Sequence, residues 1–277
     1  MAEIQTTVAA GQTAYVYSTL RATDSAQVTM VDNEVRCSGA GTSNVVLGEN
    51  IDPAATANPG RGDITIVNRF LVSAVSAGVL SCTLFVRTNS LSGSTSSFTA
   101  SGTLRFASTQ VAEDVNGLAM QTSLPNGNMV VGGTNVYAPI LDRVIGAGFS
   151  EVAVIADVEF MSCSAETCEH SSTTSGARFT LFAQQMSGGS VCTSAPVAQT
   201  SVEVSRQTHH KVVPLYTKVS LVPGCDRIYA YVRAEYVSGP TGAVQGRADG
   251  LTDGTGASGT GLPEHDSTMT HVFAVPG

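Results

Sequence analysis

Apolar and polar residues alternate with a period of two along most of this chain, and this pattern constrains the fold more than any other feature. Alternation places successive side chains on opposite faces of a strand, whereas an amphipathic helix needs a period near 3.6 residues. The segments that alternate and are rich in β-branched or aromatic residues are 13–20, 27–35, 63–72, 79–87, 103–107, 151–161, 178–184, 211–221 and 227–237. The sequence therefore predicts an all-β chain.

Clusters of glycine, serine, threonine, asparagine and proline separate these segments, and they are typical of turns and loops. The tract 239–261 is predicted as a long loop of this kind. Helical signals are confined to 111–120 and to 139–145, where a proline stands at the first helical position. Strands without interleaved helices favour a jelly roll or β-sandwich over an α/β fold.

A weak internal repeat suggests how the strands are grouped. Gly78 and Arg87 have identical counterparts at Gly224 and Arg233, which lie at a constant offset of 146 residues. Similarity at a fixed offset can indicate a duplicated unit. We therefore expect an N-terminal arm (1–12) followed by two β-sandwich halves (13–138 and 139–277), and one continuous jelly-roll domain is the alternative.

The chain carries few charges for its length. Charged residues make up 13% of the sequence, whereas about 25% is usual for soluble domains. A hydrophobic content of 42% argues against disorder, which needs low hydrophobicity and high net charge. Such a chain either covers its surface with hydroxyl groups or buries surface against other subunits. We favour burial in a symmetric homo-oligomer.

The charge distribution excludes several classes of partner. The net charge is −8, and no segment gathers lysine and arginine as nucleic-acid binders do, so we expect no direct binding of nucleic acid. No apolar run approaches the roughly 18–20 residues of a membrane span. The N-terminus lacks the pattern of a secretory signal, and we expect synthesis in a host cytoplasm.

The six cysteines are too few for a disulfide scaffold at this length, and some stand in apolar strand-like runs, as Cys82 does. Buried free thiols are therefore expected.

Two clusters have metal-ligand chemistry. Cys163 and Cys168 with His170 resemble half of a zinc site, with a local disulfide or two free thiols as alternatives. Asp249 and Asp253 are candidates for calcium, with a polar turn as the alternative. We expect neither a metal nor another cofactor.

Two further features bear on function. Arg61, Gly62 and Asp63 form a tripeptide that some integrin ligands present on exposed loops, and the alternative interpretation is a tight turn before a strand. Asp157 and Glu159 share one face of a strand, as the carboxyl pairs of glycosidases can. All five histidines fall in segments that look like loops or termini, where a catalytic base lacks burial and an orienting partner. We therefore expect no enzymatic activity.

The sequence favours a structural self-assembling protein, and a virus or phage coat subunit of jelly-roll type fits its features best. Its partners would be copies of itself and other virion proteins, and its location the virion. The alternative is an adhesive or receptor-binding β-protein such as a spike, fibre or decoration protein. A lectin or enzyme with a site built from loops is the third hypothesis. This ranking rests on fold-level analogy.

Overall fold

The computed structural model describes residues 2–23, 28–50, 63–90, 99–112, 121–124, 128–145, 148–162, 174–205, 208–252 and 264–276. These residues form strands and contain no helix. The prediction of an all-β chain of jelly-roll or β-sandwich type is confirmed. None of the described residues belongs to a helix long and apolar enough to cross a membrane.

The N-terminal part of the chain forms a first sandwich of two sheets. Its strands are Glu3–Val8 (β1), Thr13–Thr23 (β2), Val28–Gly39 (β3), Ser43–Asn50 (β4), Ile64–Ser73 (β5), Gly78–Ser90 (β6) and Thr99–Ala112 (β7). The outer sheet has the strand order β1-β6-β3-β4, and the inner sheet has the order β5-β2-β7.

The C-terminal part forms a second sandwich. Its main strands are Val136–Val144 (β10), Glu151–Ser162 (β11), Ser175–Ser187 (β12), Ser190–Ser194 (β13), Ala198–Val204 (β14), His210–Ser220 (β15), Arg227–Ser238 (β16) and His271–Pro276 (β20). The outer sheet has the order β10-β16-β12, with β13 and β14 paired in succession to the free edge of β12, and the core of the inner sheet has the order β15-β11-β20. Three short strands extend this inner sheet: Thr122–Ser123 (β8), Asn128–Val131 (β9) and Gly242–Gln245 (β17). Two others, Arg247–Thr252 (β18) and Glu264–Thr268 (β19), extend the outer sheet of the first sandwich beside β4.

The two sandwiches have the same topology. In the first, strands one, six, three and four in chain order face strands five, two and seven. The second repeats this order with β10, β16, β12 and β14 facing β15, β11 and β20. The matched residues Arg87 and Arg233 both lie in the sixth strand of their sandwich. The strand order thus agrees with the repeat that the sequence indicates.

Each sandwich has its own core, built by the alternation that predicts the strands. In the first core Val16 of β2 packs with Phe70 of β5 and Leu84 of β6. In the second core Val154 of β11 packs with Phe179 of β12 and Val232 of β16. The described members of the first core end at Leu104 and those of the second begin at Leu124. The expected boundary at 138/139 falls within β10, and the segment 1–12 includes β1, which pairs with β6.

Two local predictions are wrong. The segment 139–145 lies largely in strand β10 rather than a helix, because Val136, Ala138 and Leu141 turn into the second core while Tyr137 and Ile140 point out. A cis peptide bond at Ala138–Pro139 accompanies the register shift in this strand. The tract 239–261 is a loop only in part, because β17 and β18 occupy 242–252 up to the start of the residues outside the described part.

The expectation of free thiols is also wrong for four cysteines. Cys37 and Cys82 are directly opposite in the register of β3 and β6 and form a disulfide. A second disulfide joins Cys192 of β13 to Cys225, just before β16. The sequence favours free thiols because Cys82 lies in an apolar strand-like run, where a buried thiol is common. Only the register shows that two such strands bring them together.

Candidate functional site

The two inner sheets pack face to face, and their contact forms a separate apolar cluster. Leu71 of β5 packs with Ala153 and Ile155 of β11 and with Phe273 of β20. Tyr15 of β2 meets Phe273 edge to face, with 5.3 Å between ring centroids. The outward faces of the two inner sheets are therefore buried against each other where β2 and β5 meet β11 and β20, and we call this contact the junction.

A buried ion pair lies within the junction. Arg69 of β5 donates to Asp157 of β11 through Nη2 (2.5 Å to Oδ1), Nε (3.2 Å to Oδ2) and its backbone N–H (2.9 Å to Oδ2). Nη2 also donates to the carbonyl of Leu215 on β15, at 3.2 Å. Asp157 is fully buried, and only 11% of the Arg69 side chain is exposed. A buried pair with this many hydrogen bonds fixes the two sandwiches in one relative position.

His271 of β20 completes this arrangement. Its Nε2 donates to the Arg69 carbonyl at 2.5 Å and lies 4.0 Å from Asp157 Oδ2. Because a carbonyl only accepts, the ring carries its proton on Nε2. Burial lowers the pKa of His271, and the Asp157 charge opposes this shift. The imidazole is therefore neutral at neutral pH and acts as a hydrogen-bond donor.

Two residues further along β11, Glu159 is fully buried and faces the edge of the first sandwich. Its Oε2 accepts from the N–H of Gly48 on β4 at 3.1 Å, and its Oε1 lies 2.9 Å from His210 Nδ1. Among the described residues β4 pairs with β19 at Val45 alone, and the Gly48 N–H bonds to the Glu159 side chain. A Cβ at Gly48 would lie 2.3 Å from Asp32 Oδ1, so a larger residue here would displace the Asp32 side chain.

Glu159 belongs to a group of carboxyl residues close enough for their charges to interact, which we call the carboxyl cluster. Its members are Asp32 and Glu34 of β3, Glu49 of β4 and Glu159 of β11. Glu34 and Glu49 contact cations: Arg36 Nε donates to Glu34 at 2.9 Å, and Lys211 Nζ to Glu49 at 3.4 Å. These two carboxylates are therefore ion-paired.

Asp32 and Glu159 differ because no cation lies within hydrogen-bond distance of either among the described residues. Among the described residues, Arg87 Nε lies 3.9 Å from Asp32 Oδ2, and Asp32 Oδ1 has no hydrogen-bond partner. Burial, with the charge of Glu159, raises the pKa of Asp32 to about 7, although Arg87 and His210 lower it. Burial also raises the pKa of Glu159 well above its ordinary value, and it lowers the pKa of His210. A protonated Glu159 can then donate from Oε1 to a neutral His210.

A different surface lies on the far side of the second sandwich, on its outer sheet. Tyr231 of β16 stacks on Phe182 of β12 with 5.0 Å between centroids, and it lies 5.9 Å from Tyr137 of β10 and 5.8 Å from Tyr229. These four rings with Ile140 form what we call the aromatic face. Tyr137 is 49% and Ile140 42% exposed. The described part of the chain therefore leaves this face open to solvent.

Charged groups of both signs border the aromatic face. Arg227 pairs with Asp142 at 2.6 Å on one side, and Arg233 pairs with Glu235 at 2.9 Å on the other. The Arg233 guanidinium also lies 4.9 Å from the centroid of Phe182. An exposed aromatic centre with a charged rim of mixed sign is the usual composition of a protein interface.

Most candidates from the sequence fall outside these two sites. Asp63 pairs with Arg21 of β2 at 3.0 Å, while Arg61 and Gly62 lie outside the described residues, so receptor binding stays a prediction. The possible metal ligands Cys163, Cys168, His170 and Asp253 also lie outside them, and Asp249 lies in β18 with its side chain outside the described part. No group of three or more described His, Cys, Asp or Glu residues is arranged to hold a metal ion.

The structure also corrects the interpretation of the histidines. His210 and His271 are each the first residue of a strand and are buried or nearly so, whereas the sequence suggested loops. Asp157 and Glu159 do share one face of a strand, as predicted, but that face lies in the junction. The signal that was available is the apolar run Val272-Phe-Ala-Val directly after His271, which is typical of a strand buried on both faces.

Comparisons with known proteins place the chain in no family. No protein-family profile matches it, and no curated protein matches it. Two virus structures contain chains of weak similarity. One is a structure of infectious bursal disease virus, at 7% identity and a TM-score of 0.28. The match covers 97% of this chain and 58% of the virus chain, so this chain spans little more than half the length of that chain. The other is broad bean stain virus, at 10% identity and a TM-score of 0.20, over 88% of this chain and 87% of that one.

Proposed function

We propose that this chain is a structural subunit that assembles with copies of itself, as a coat subunit of a virus particle. The observation that carries the proposal is the aromatic face. Four aromatic rings and Ile140 stand together on one sheet surface, half-buried or exposed. In the described part of the chain the Arg233 guanidinium lies over one of them, Phe182, while Tyr137 and Ile140 stay open to solvent. A monomer rarely leaves such a patch uncovered unless a partner uses it.

The partner that fits this face is a second copy of the chain. The four strand positions of the outer sheet, at usual strand spacing and length, present roughly 750 Å² in projection. That is close to the ~800 Å² that each partner contributes to a standard interface. Because the rim carries Arg227 with Asp142 and Arg233 with Glu235, a two-fold arrangement can set each cation opposite an anion of the other copy.

The composition supports the same role. A chain with 13% charged residues has little charge to keep a large free surface soluble, and burial against other subunits relieves this. In this proposal the protein is not an enzyme, it resides in the virion, and other virion proteins are further partners.

The test is to remove the most exposed apolar groups of the aromatic face. We expect the double variant Tyr137→Ser, Ile140→Ser to keep its far-UV circular dichroism spectrum and to weaken self-association by about thirtyfold or more, as loss of an interface centre does. Sedimentation velocity over a concentration series measures the association, and negative-stain microscopy identifies closed particles.

The matched control is Tyr216→Ser, because Tyr216 of β15 is 47% exposed but lies on the other sandwich sheet. It should associate as the wild type does. A wild-type protein that stays monomeric at about 50 μM, far above common interface dissociation constants, would overturn the proposal. So would a double variant that assembles normally.

A further inference from the structure

We propose that the carboxyl cluster is a proton-controlled latch: the junction is closed while Asp32 and Glu159 are protonated, and it opens locally when both lose their protons. This inference does not depend on self-assembly, because it concerns contacts within one chain. It rests on where the two carboxyl groups lie and on which partners they have.

The latch residues connect the two sandwiches. Glu159 belongs to the inner sheet of the second sandwich, yet its Oε2 accepts from Gly48 of the first at 3.1 Å. His210 of β15 is bound in the same way: its backbone N–H donates to Asn50 Oδ1 of β4 at 2.5 Å, and its ring meets Glu159. Opening this contact therefore separates β4 from β11 and β15.

The charges around the latch make ionisation unfavourable. Glu159 has no exposed side-chain surface, and Asp32 has 14%. The charged and titratable groups that face them are Glu34 (β3), Glu49 (β4), Arg87 (β6), and His210 and Lys211 (β15). Behind these, Arg36 bonds to Glu34 and His209 contacts the His210 ring. Arg69, Asp157 and His271 lie next along the junction. Arg36 and Arg87 are each 23% exposed and Lys211 49%, so solvent screens their charges more than those of the buried acids.

A consistent proton arrangement follows from the distances. Protonated Glu159 donates from Oε1 to neutral His210 Nδ1, and its Oε2 accepts from Gly48. Loss of that proton leaves a buried anion next to Asp32, Glu34 and Glu49, without a cation in contact. Burying an unpaired charge is strongly unfavourable, so the ionised cluster is more stable when the contact opens and water solvates the carboxylates.

The direction of the pH dependence is fixed by the pKa shifts. Burial raises the pKa of Asp32 from 3.8 to about 7 and that of Glu159 well above its usual range. The folded chain keeps these protons where the unfolded chain has lost them. The stabilisation is therefore complete below the unfolded pKa values and is lost as pH rises through the folded ones. His210, whose pKa burial lowers, acts in the opposite direction and only in acid.

Hydrogen exchange tests the latch on the intact chain. Between about pH 6 and about pH 9, after correction for the intrinsic exchange rate, we expect the protection of the Gly48 and Val212 amides to fall by about tenfold or more. Protection of the Val16 amide in the first core should stay constant, which separates local opening from global unfolding.

The deciding variant is Asp32→Asn, Glu159→Gln, because both amides remain neutral and the glutamine can still donate to His210 and accept from Gly48. Its junction amides should change less than about twofold over the same range. The control Glu151→Gln, on the same strand but paired with Lys218 at the surface, should behave as the wild type. Constant protection in the wild type, or an unchanged pH response in the variant, overturns the inference. If the double variant does not fold, Asp32→Asn alone is judged by the same criterion.

Discussion

The two sandwiches share one topology, but different interactions hold their third and sixth strands together. In the first, Cys37 and Cys82 join strands three and six by a disulfide. An offset of 146 from Cys82 leads to Ile228 of β16, whose register partner on β12 is Gln185. Gln185 accepts from the Val222 N–H and donates to the carbonyls of Val222 and Cys225. The third strand is thus linked to the sixth by a covalent bond in the first sandwich, and to the turn before the sixth by hydrogen bonds in the second.

The outer faces of the two sandwiches differ in how their ion pairs are buried. Phe85 of β6 and Tyr231 of β16 occupy matching positions at the offset of 146, and both are half-buried. On the first face, Arg36 lies 4.3 Å from the Phe85 centroid and pairs with Glu34, which has no exposed side-chain surface. On the second face, Arg233 lies 4.9 Å from the Phe182 centroid but pairs with the half-buried Glu235. The same arginine-on-ring contact therefore accompanies a buried ion pair in one sandwich and a partly solvated one in the other.

The largest expected effect separates the two sandwiches. Arg69→Ala leaves Asp157 buried without its cation, and we expect a loss of about 3–5 kcal/mol in the free energy of unfolding. Urea unfolding followed by circular dichroism measures it. With the junction weakened, we also expect two transitions where the wild type has one. The control Arg21→Ala removes an exposed pair and should change stability by less than about 1 kcal/mol. Equal effects of the two substitutions would contradict the role assigned to the junction.

The second prediction concerns removal of the disulfide from each sandwich in turn. The variant Cys37→Ser, Cys82→Ser should lose about 2–4 kcal/mol, because the unfolded chain is no longer closed across 45 residues. Hydrogen exchange should locate the loss in the first sandwich and leave β12 and β16 protected. The matched variant Cys192→Ser, Cys225→Ser should place its loss in the second sandwich. A loss spread evenly over both in either variant would show that the sandwiches are not separate units of stability.

The third prediction tests the hydrogen-bonded counterpart. Gln185→Leu keeps the approximate side-chain volume but leaves the Val222 N–H without its acceptor and two carbonyls without their donor. We expect a loss of about 1–3 kcal/mol in a thermal or urea transition. Gln199→Leu is the control, since Gln199 is exposed and bonds only to Thr180 in the described contacts. If Gln185→Leu is neutral, the hydrogen bonds do not replace the disulfide of the first sandwich.

The main strands and the repeat could be predicted from the sequence, because alternation and a fixed offset are local signals. The segment 211–221 is an example, since it matches β15 within one residue at each end. Strand β4 was missed because Val45, Val46 and Leu47 form a buried run without alternation, and β14 because it is polar and lies at an edge. The junction could not be predicted. Asp157 and Glu159 alternate with apolar residues as a solvent-facing row does, and only the tertiary fold brings Arg69 to them across 88 residues.

The smallest expected effect concerns two arginines that each lie over an aromatic ring. Arg233→Gln should cost less than about 1 kcal/mol, because Arg233 pairs with Glu235 at a half-buried site and its contact with Phe182 is partly solvated. Arg36→Gln should cost about 1–2 kcal/mol, because it removes a donor from the buried Glu34 and leaves Arg87, at 3.5 Å, as a cation for that carboxylate. Urea unfolding of the dissociated protein resolves a difference of this size. A larger loss for Arg233→Gln would mean that the second outer face contributes to folding of the monomer rather than being kept free for a partner.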